Sequence, residues 1–285
     1  MWKIIMLNKI SFLQGCLLIL KVWKYSIRRN DKHCNTNKMK KRGNMSNSDQ
    51  LSKKLMTIGG GKTLTKTANK MDKLIVGCVK QIQIKLQEEY NGKINLYHDT
   101  KIYLKDIVAK LRKIYPNEIW FYNFEKSTIK PDGGILYIVD NEGKQYPILI
   151  AEQKSQGTND RIVQETGKKQ SKGNAIERLG KNLIGLRTWM KNEAIFPFVC
   201  FGSGCDFEPK SSILDRVITM AEFSKLNNIN LYQTNDAKRT PGSFYFQEKG
   251  FLKNDYLEIM LKIANRSIMY YFSKYGKEKF IKINR

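Results

Sequence analysis

A chain of 285 residues, 41% of them hydrophobic, is long enough to bury one large core or two small ones and too apolar to be disordered throughout. Its 51 Lys and Arg stand against 26 Asp and Glu, a formal net charge of +25. That excess points to a polyanionic partner, with nucleic acid ahead of a membrane surface or charge kept for solubility alone. Five cysteines, Cys16, Cys34, Cys78, Cys200 and Cys205, are odd in number and scattered. They fit free thiols in a reducing cytosol and argue against a disulfide framework. Cys200 and Cys205 form one pair with no second pair to complete a zinc site, and the nearest histidine in sequence is His98.

Residues 1–44 carry a net charge of +10, and the rest of the chain keeps +15, so the body is basic on its own account. Ile10 to Leu20 is uncharged between Lys9 and Lys21. It is shorter than the ~20 apolar residues that span a bilayer, and no small-residue cleavage site follows it. Met45 opens a polar run that reads as an ordinary protein start, so residues 1–44 are expected to be a basic N-terminal extension that need not be translated. Residues 45–70, rich in Ser, Thr, Lys and Gly, read as a flexible basic arm, and residues 71–285 as a single domain. Gly59-Gly60-Gly61-Lys62-Thr63 imitates a phosphate-binding loop, but that motif needs glycine where Met56 stands and an apolar strand before it.

Leu74, Cys78, Val79, Ile82 and Leu86 recur at helical spacing and predict a helix from Met71 to Tyr90. A second helix is expected from Ile102 to Ile114, stopped by Pro116. The period then changes. Gly134 to Val139 reads as a strand, Asp140-Asn141-Glu142-Gly143 as a turn, and Tyr146 to Ala151 as a second strand buried on both faces. Further on, the patterns predict a helix from Ala175 to Asn192, a buried strand from Phe196 to Phe201, and a helix from Ser212 to Phe223. A short strand from Ile229 to Gln233 and a long helix from Asn254 to Lys274 complete the series. Strands alternating with helices around one sheet make an α/β or α+β core.

The hairpin sets a register. A three-residue loop of Asn141, Glu142 and Gly143 puts glycine at its left-handed position and Asp140 opposite Lys144. Carried along the strands, this count sets Asp132 opposite Glu152, with Cβ atoms ~5 Å apart. Lys154, two residues on, faces the same side. Two carboxylates held together repel and need a cation or a shared proton. Mg²⁺ takes oxygen ligands, binding through one or two carboxylates plus phosphate and water. It lowers the pKa of water and offsets charge on a phosphate, while Lys154 contacts that phosphate or orients the attacking water. This is the chemistry of phosphodiester hydrolysis. The competing reading is an edge hairpin with solvated charges, which does not account for so apolar a second strand.

Some twenty residues downstream stands Gly173-Asn174-Ala175-Ile176-Glu177-Arg178. Asn174 is a good helix N-cap with Glu177 three residues on, and a capped helix start is the plain reading. The functional reading adds that Asn174 and Arg178 project from one side, at the end of a helix suited to phosphate. Asn can read adenine bidentately and Arg a purine edge in the major groove, with Glu177 tying the guanidinium or accepting from a base amino group.

Pro131-Asp132 followed by Glu152-x-Lys154 after a hairpin resembles the PD-(D/E)xK nuclease superfamily. Ser127 to Ile135, Ala151 to Gly157 and Gly173 to Arg178 together resemble the EcoRI-like type II restriction endonucleases. Weaker similarity runs through Lys181-Asn182, Phe196 to Val199 and Ser212 to Arg216. The resemblance implies an α/β fold in which a central mixed β-sheet is flanked by helices, the restriction-endonuclease-like core. It implies Asp132, Glu152 and the Gln153 carbonyl as Mg²⁺ ligands and Lys154 as the catalytic lysine. Asn174, Ala175 and Arg178 would read an inner AATT tract, and Arg216 would lie near the DNA. The family acts as a homodimer on palindromic duplex DNA and leaves 5′ overhangs; a two-fold dimer matches a palindrome. A cognate DNA methyltransferase is the implied functional partner, and the expected setting is cytoplasmic, away from membranes.

There are departures. Gln170, Ser171 and Lys172 replace small and apolar residues where outer base pairs are read. The segment between Lys154 and Gly173 is shorter, and a second family arginine falls on Thr219. GAATTC is therefore the first expectation for the site and CAATTG its rival. A nuclease of this fold that follows DNA shape in repair, or a non-catalytic DNA-binding regulator, are the alternatives.

Overall fold

The computed structural model describes residues 61–121, 125–155, 174–204, 207, 211–235 and 238–282. The described residues all fall in the compact unit Ser52–Arg285. The extension 1–44, residues 45–60 of the basic arm, Cys205, and Gln170 to Gly173 lie outside the described residues.

Helix α1 runs Gly61–Glu89. It begins ten residues ahead of the expected start, so residues 61–70 of the basic arm are helical. Those residues carry no apolar stripe. Propagating a helix outward from a packed segment is far cheaper than nucleating one, and the packed segment begins just beyond. Strands β1 (Asn95–Asp99) and β2 (Ile102–Tyr103) follow, then helix α2 (Leu104–Ile114). Strand β3 (Thr128–Ile129) pairs with β2 in a small separate sheet. The expected hairpin is β4 (Gly134–Val139) and β5 (Gln145–Ser155). Helix α3 spans Asn174–Trp189, strand β6 Phe198–Ser203 and helix α4 Ser212–Met220. Strand β7 (Ser243–Gln247) and the long helix α5 (Lys253–Tyr275) close the fold. The strand expected at Ile229 to Gln233 is reduced to one bridge, Ile195 to Tyr232.

The main sheet has the order β1-β4-β5-β6-β7. Its first three strands are antiparallel and β5, β6 and β7 are parallel, so the sheet is mixed and β5 joins the two halves. Helices cover both faces, as the α/β expectation requires. On one side Ile75, Val79 and Ile82 of α1 and Met260, Ile263 and Ile268 of α5 pack on Leu136, Leu149 and Val199. On the other, Ile107 of α2, Leu179 and Leu183 of α3, and Val217 of α4 pack on Ile135, Ile150 and Cys200. Each fully buried aliphatic side chain contributes about 1.5–3 kcal/mol. β5 is buried from Tyr146 to Gln153, which is why it reads as an unbroken apolar run. No helix among the described residues is long and apolar enough to cross a membrane.

The hairpin turn matches the expected loop. Gly143 has φ +83°, Gly143 N–H donates to Asp140 O (3.0 Å), and Asp140 N–H to Lys144 O (3.0 Å). The register does not run straight to the far end. Val139, Ile138 and Tyr137 face Gln145, Tyr146 and Pro147, but Leu136 faces Leu149. Ile148 is an extra residue, and Ile148 and Leu149 both lie in the core on the α1 and α5 side. Pro147 has no N–H to give a ladder, and a bulge is where a sheet accommodates it.

Candidate active site

The bulge corrects the pairing of the two acidic residues. Beyond it each residue of β4 faces a partner one position later than the turn alone dictates, so Asp132 comes level with Gln153 and not with Glu152. Accordingly, the Gln153 N–H donates to Asp132 Oδ2 (3.2 Å), while the Asp132 N–H donates to Glu152 Oε2 (3.1 Å). The side chains still converge. Lys154 Nζ lies 2.8 Å from Asp132 Oδ2 and 2.5 Å from Glu152 Oε1, and it also donates to the Gln153 carbonyl (2.9 Å). Alternation along β5 puts Glu152 and Lys154 on one face, as the spacing predicts. The run Glu152 to Lys154 lies within β5, not beyond its end, and pairs with Cys200 to Gly202 of β6.

The turn before β4 delivers Asp132. Pro131 is buried, and Gly134 N–H donates to Pro131 O (3.0 Å) while Gly133 N–H donates to Ala151 O (2.9 Å). Both glycines are required. A Cβ on Gly133 would sit 2.7 Å from the Ala151 Cβ, and Gly134 adopts φ +78°.

Burial sets the electrostatics. Glu152 is 1% exposed, and that burial holds its carboxyl above the usual carboxylate range; Lys154 pulls the other way and Asp132 adds to the rise. For Lys154, burial works against the charge, but Glu152 and Asp132 outweigh it and hold the ammonium above its ordinary value. The Cys200 thiol beside them is raised well above its ordinary value, chiefly by burial. One further acid answers to this site: Asp72 on α1 is raised by burial and then by the Asp132 charge. Sequence reading missed it. Its only local signal is a helical offset of three residues from Ile75, whose side chain lies 3.1 Å from where a Cβ on Gly133 would stand.

The donor set fits Mg²⁺. Two carboxylates and a peptide carbonyl are hard oxygens, in the number that this ion takes while keeping water and phosphate. Among the described residues no group of three or more His, Cys, Asp or Glu forms an alternative cage, and Cys78 and Cys200 are free and buried. The arrangement can hold a divalent cation against a fixed positive charge, as phosphate chemistry demands.

The residues expected to read DNA stand apart from this cluster in sequence. α3 begins at Asn174, whose side chain lies outside the described residues. Ala175 is half-buried, Ile176 and Leu179 anchor the helix in the core, and Glu177 and Arg178 are exposed. Arg216 on α4 is exposed, as is Thr219, whose hydroxyl donates back to Asp215 O (2.9 Å). α3 is pinned from beneath by Arg187. Its Nε donates to Thr240 O (2.9 Å) and its Nη2 to Met220 O (2.6 Å) and Pro241 O (2.7 Å). Sequence reading gave this arginine no role.

Comparison with known proteins agrees with the geometry. Residues 57–213 match the family described as restriction endonuclease EcoRI. The type II restriction enzyme RsrI of Cereibacter sphaeroides is 33% identical over 164 residues, covering 54% of this chain and 59% of the relative. The type II restriction enzyme EcoRI of Escherichia coli is 36% identical over 143 residues, covering 47% of this chain and 51% of the relative. The chain thus spans between half and three fifths of the length of the curated relatives it matches. With more than half of its residues matched and an acidic pair, lysine and sheet of the expected kind, the chain belongs to the EcoRI restriction endonuclease family.

Proposed function

We propose that this chain is a type II restriction endonuclease that hydrolyses phosphodiester bonds in duplex DNA with Mg²⁺. The observation that carries the reading is the convergence of Asp132, Glu152 and the Gln153 carbonyl on Lys154. A core that served only for binding would gain nothing from holding two repelling carboxylates together, one of them buried. Asp132, Glu152 and the Gln153 carbonyl would hold Mg²⁺, which supplies Lewis-acid stabilisation of charge on the phosphate and acidifies water. Glu152, buried and tied to the Asp132 N–H, keeps its carboxylate aimed at the cation site. Asp132 is held by the Gln153 N–H from the opposite strand. Lys154 releases one of its carboxylate contacts to meet a phosphate oxygen and orient the water that attacks in line, without a covalent intermediate. The net charge, +15 even without residues 1–44, steers the duplex to the protein.

Asn174, Ala175 and Arg178, at the start of α3, read an inner AATT tract of a palindrome. GAATTC is the first expectation, CAATTG the rival, and 5′ overhangs the products. Gln170, Ser171 and Lys172 bear on the outer pair. The active form is a homodimer, and a DNA methyltransferase protects the host site. The test is digestion of a sequenced plasmid with Mg²⁺ followed by end-sequencing, alongside Glu152→Ala. Discrete fragments ending at one AATT palindrome, lost in the variant while specific binding persists, are expected. Cleavage retained by Glu152→Ala would overturn the site. Fragments without sequence preference would favour a shape-specific nuclease, and Mg²⁺-independent binding without cleavage a regulator.

A further inference from the structure

Asp132 is delivered by a turn whose last peptide, Gly133–Gly134, carries no side chain to steady it. Peptides between glycines rotate with the least resistance of any, so the orientation of this one must be fixed from outside. Its N–H, that of Gly134, is engaged by Pro131 O, and the Gly133 N–H of the preceding peptide by Ala151 O. The remaining group is the Gly133 carbonyl, and His98 Nε2 lies 2.9 Å from it. A carbonyl oxygen only accepts, so Nε2 carries the hydrogen and the imidazole donates.

We propose that His98 is a positioning residue of the metal site: by donating to Gly133 O it locks the turn that aims the Asp132 carboxylate. The inference rests on the reading of Asp132 as a cation ligand. His98 lies on the edge strand β1, opposite Leu136 of β4, so the bond ties the outermost strand to the turn. The ring also sits against the turn itself. A Cβ on Gly134 would lie 2.5 Å from His98 Nε2 and 2.5 Å from Asp99 O, so the imidazole can come this close only because residue 134 is glycine. Packing alone does not call for this residue. The position is half-buried at a sheet edge, where any apolar side chain would cover the same surface. What an apolar side chain lacks is the N–H. A cation held by Asp132 would compete with Lys154 for Oδ2, 2.8 Å from the ammonium, and would leave the turn more of the burden of aiming that carboxylate. Groups that orient metal ligands in this way typically change metal affinity or activity by about 10–100-fold when removed.

The test compares His98→Leu, which removes the donor, with His98→Gln, which returns an amide N–H at similar volume. Mn²⁺ binding to the full chain, without DNA, is followed by the electron paramagnetic resonance of the free ion. Circular dichroism checks that each variant is folded. The expected result is about 10–100-fold weaker Mn²⁺ binding in His98→Leu, with most of it recovered in His98→Gln. In plasmid cleavage kcat falls while KM for DNA holds. Equal Mn²⁺ affinity in wild type and His98→Leu overturns the positioning role and leaves the metal site standing. A wild-type chain that binds no Mn²⁺ overturns the metal reading and this inference with it. If His98→Leu does not fold, His98→Gln decides alone: Mn²⁺ affinity within about threefold of wild type is expected, and a loss of about 10-fold or more overturns the proposal.

Discussion

Replacing Lys154 by methionine removes the ammonium that two carboxylates share and leaves a side chain of similar length. Breaking a buried ion pair by deleting one partner costs about 3–5 kcal/mol. Glu152, 1% exposed, meets that penalty in full, whereas Asp132, 28% exposed, recovers part of its hydration. The expected loss is therefore about 3 kcal/mol, at the lower end of that range. At about 2–4 °C per kcal/mol, the melting temperature falls by roughly 6–12 °C. The loss depends on pH in a defined direction. Glu152 has a carboxyl raised by burial, so its ionised form without a counter-charge exists only above that raised pKa. The deficit is full above it and shrinks as pH falls through it, because the carboxyl takes up a proton. The wild-type ammonium, itself raised, stays charged well above neutrality and contributes no such slope. Thermal melts at about pH 8 and about pH 5 should show the larger deficit at the higher pH. Millimolar Mg²⁺ should raise the variant's melting temperature more than that of the wild type. A variant melting within about 2 °C of wild type at about pH 8 without divalent ions would refute the claim that Lys154 compensates the pair.

Asp140 closes the hairpin by accepting from the N–H groups of Glu142 (3.0 Å) and Lys144 (2.8 Å), from the Tyr146 hydroxyl (3.1 Å), and by pairing with Lys279. Burial pushes its carboxyl up, but these partners outweigh burial and depress it. Asp140→Ala should cost about 2–4 kcal/mol at neutral pH by urea unfolding. A depressed carboxyl stabilises above its unfolded pKa and loses that contribution as pH falls through the folded one, so the variant's deficit should shrink in acid. Arg187→Met should cost about 2–4 kcal/mol, with hydrogen exchange accelerated first around Met220 and Thr240. Arg178→Ala should relax discrimination at one base pair of the site by about 1–3 kcal/mol, read by competition binding with substituted duplexes. A uniform loss across all sequences would mark it as a phosphate contact instead.

The elements with the longest apolar patterns were legible. Gly134–Val139 stands as expected, and α5 and α1 keep the stripes that defined them. What escaped is what depends on remote partners. Asn-Leu-Tyr-His-Asp of β1 has no clean alternation because an edge strand buries neither face fully. Ser-Phe-Tyr-Phe-Gln of β7 was legible in principle, following Pro241 and Gly242, but it is short and borders polar residues. Ile229 to Gln233 has the composition of a strand, yet a single bridge is all it makes. At the site, the convergence of Asp132, Glu152 and Lys154 was readable, and so was the face that Glu152 and Lys154 share. Their register was not, although Pro147 inside a buried strand was the available warning. Asp72 and His98 come from elements far away in sequence, and only the packed sheet brings them near Asp132.

The spare residue in β5 has a consequence for how such chains diverge. Delete Ile148 and every other pairing would survive: Tyr137 would still face Pro147, and Leu136 would still face Leu149. The local bend would go, together with the Ile148 side chain that the core holds. The count of residues between the aspartate and the glutamate is therefore a soft quantity, adjustable one residue at a time in the strand and again in the turn. The chemistry is indexed by neighbours across the sheet and not by distance along the gene. A relative with one residue fewer between the counterparts of Asp132 and Glu152 could therefore keep the same site.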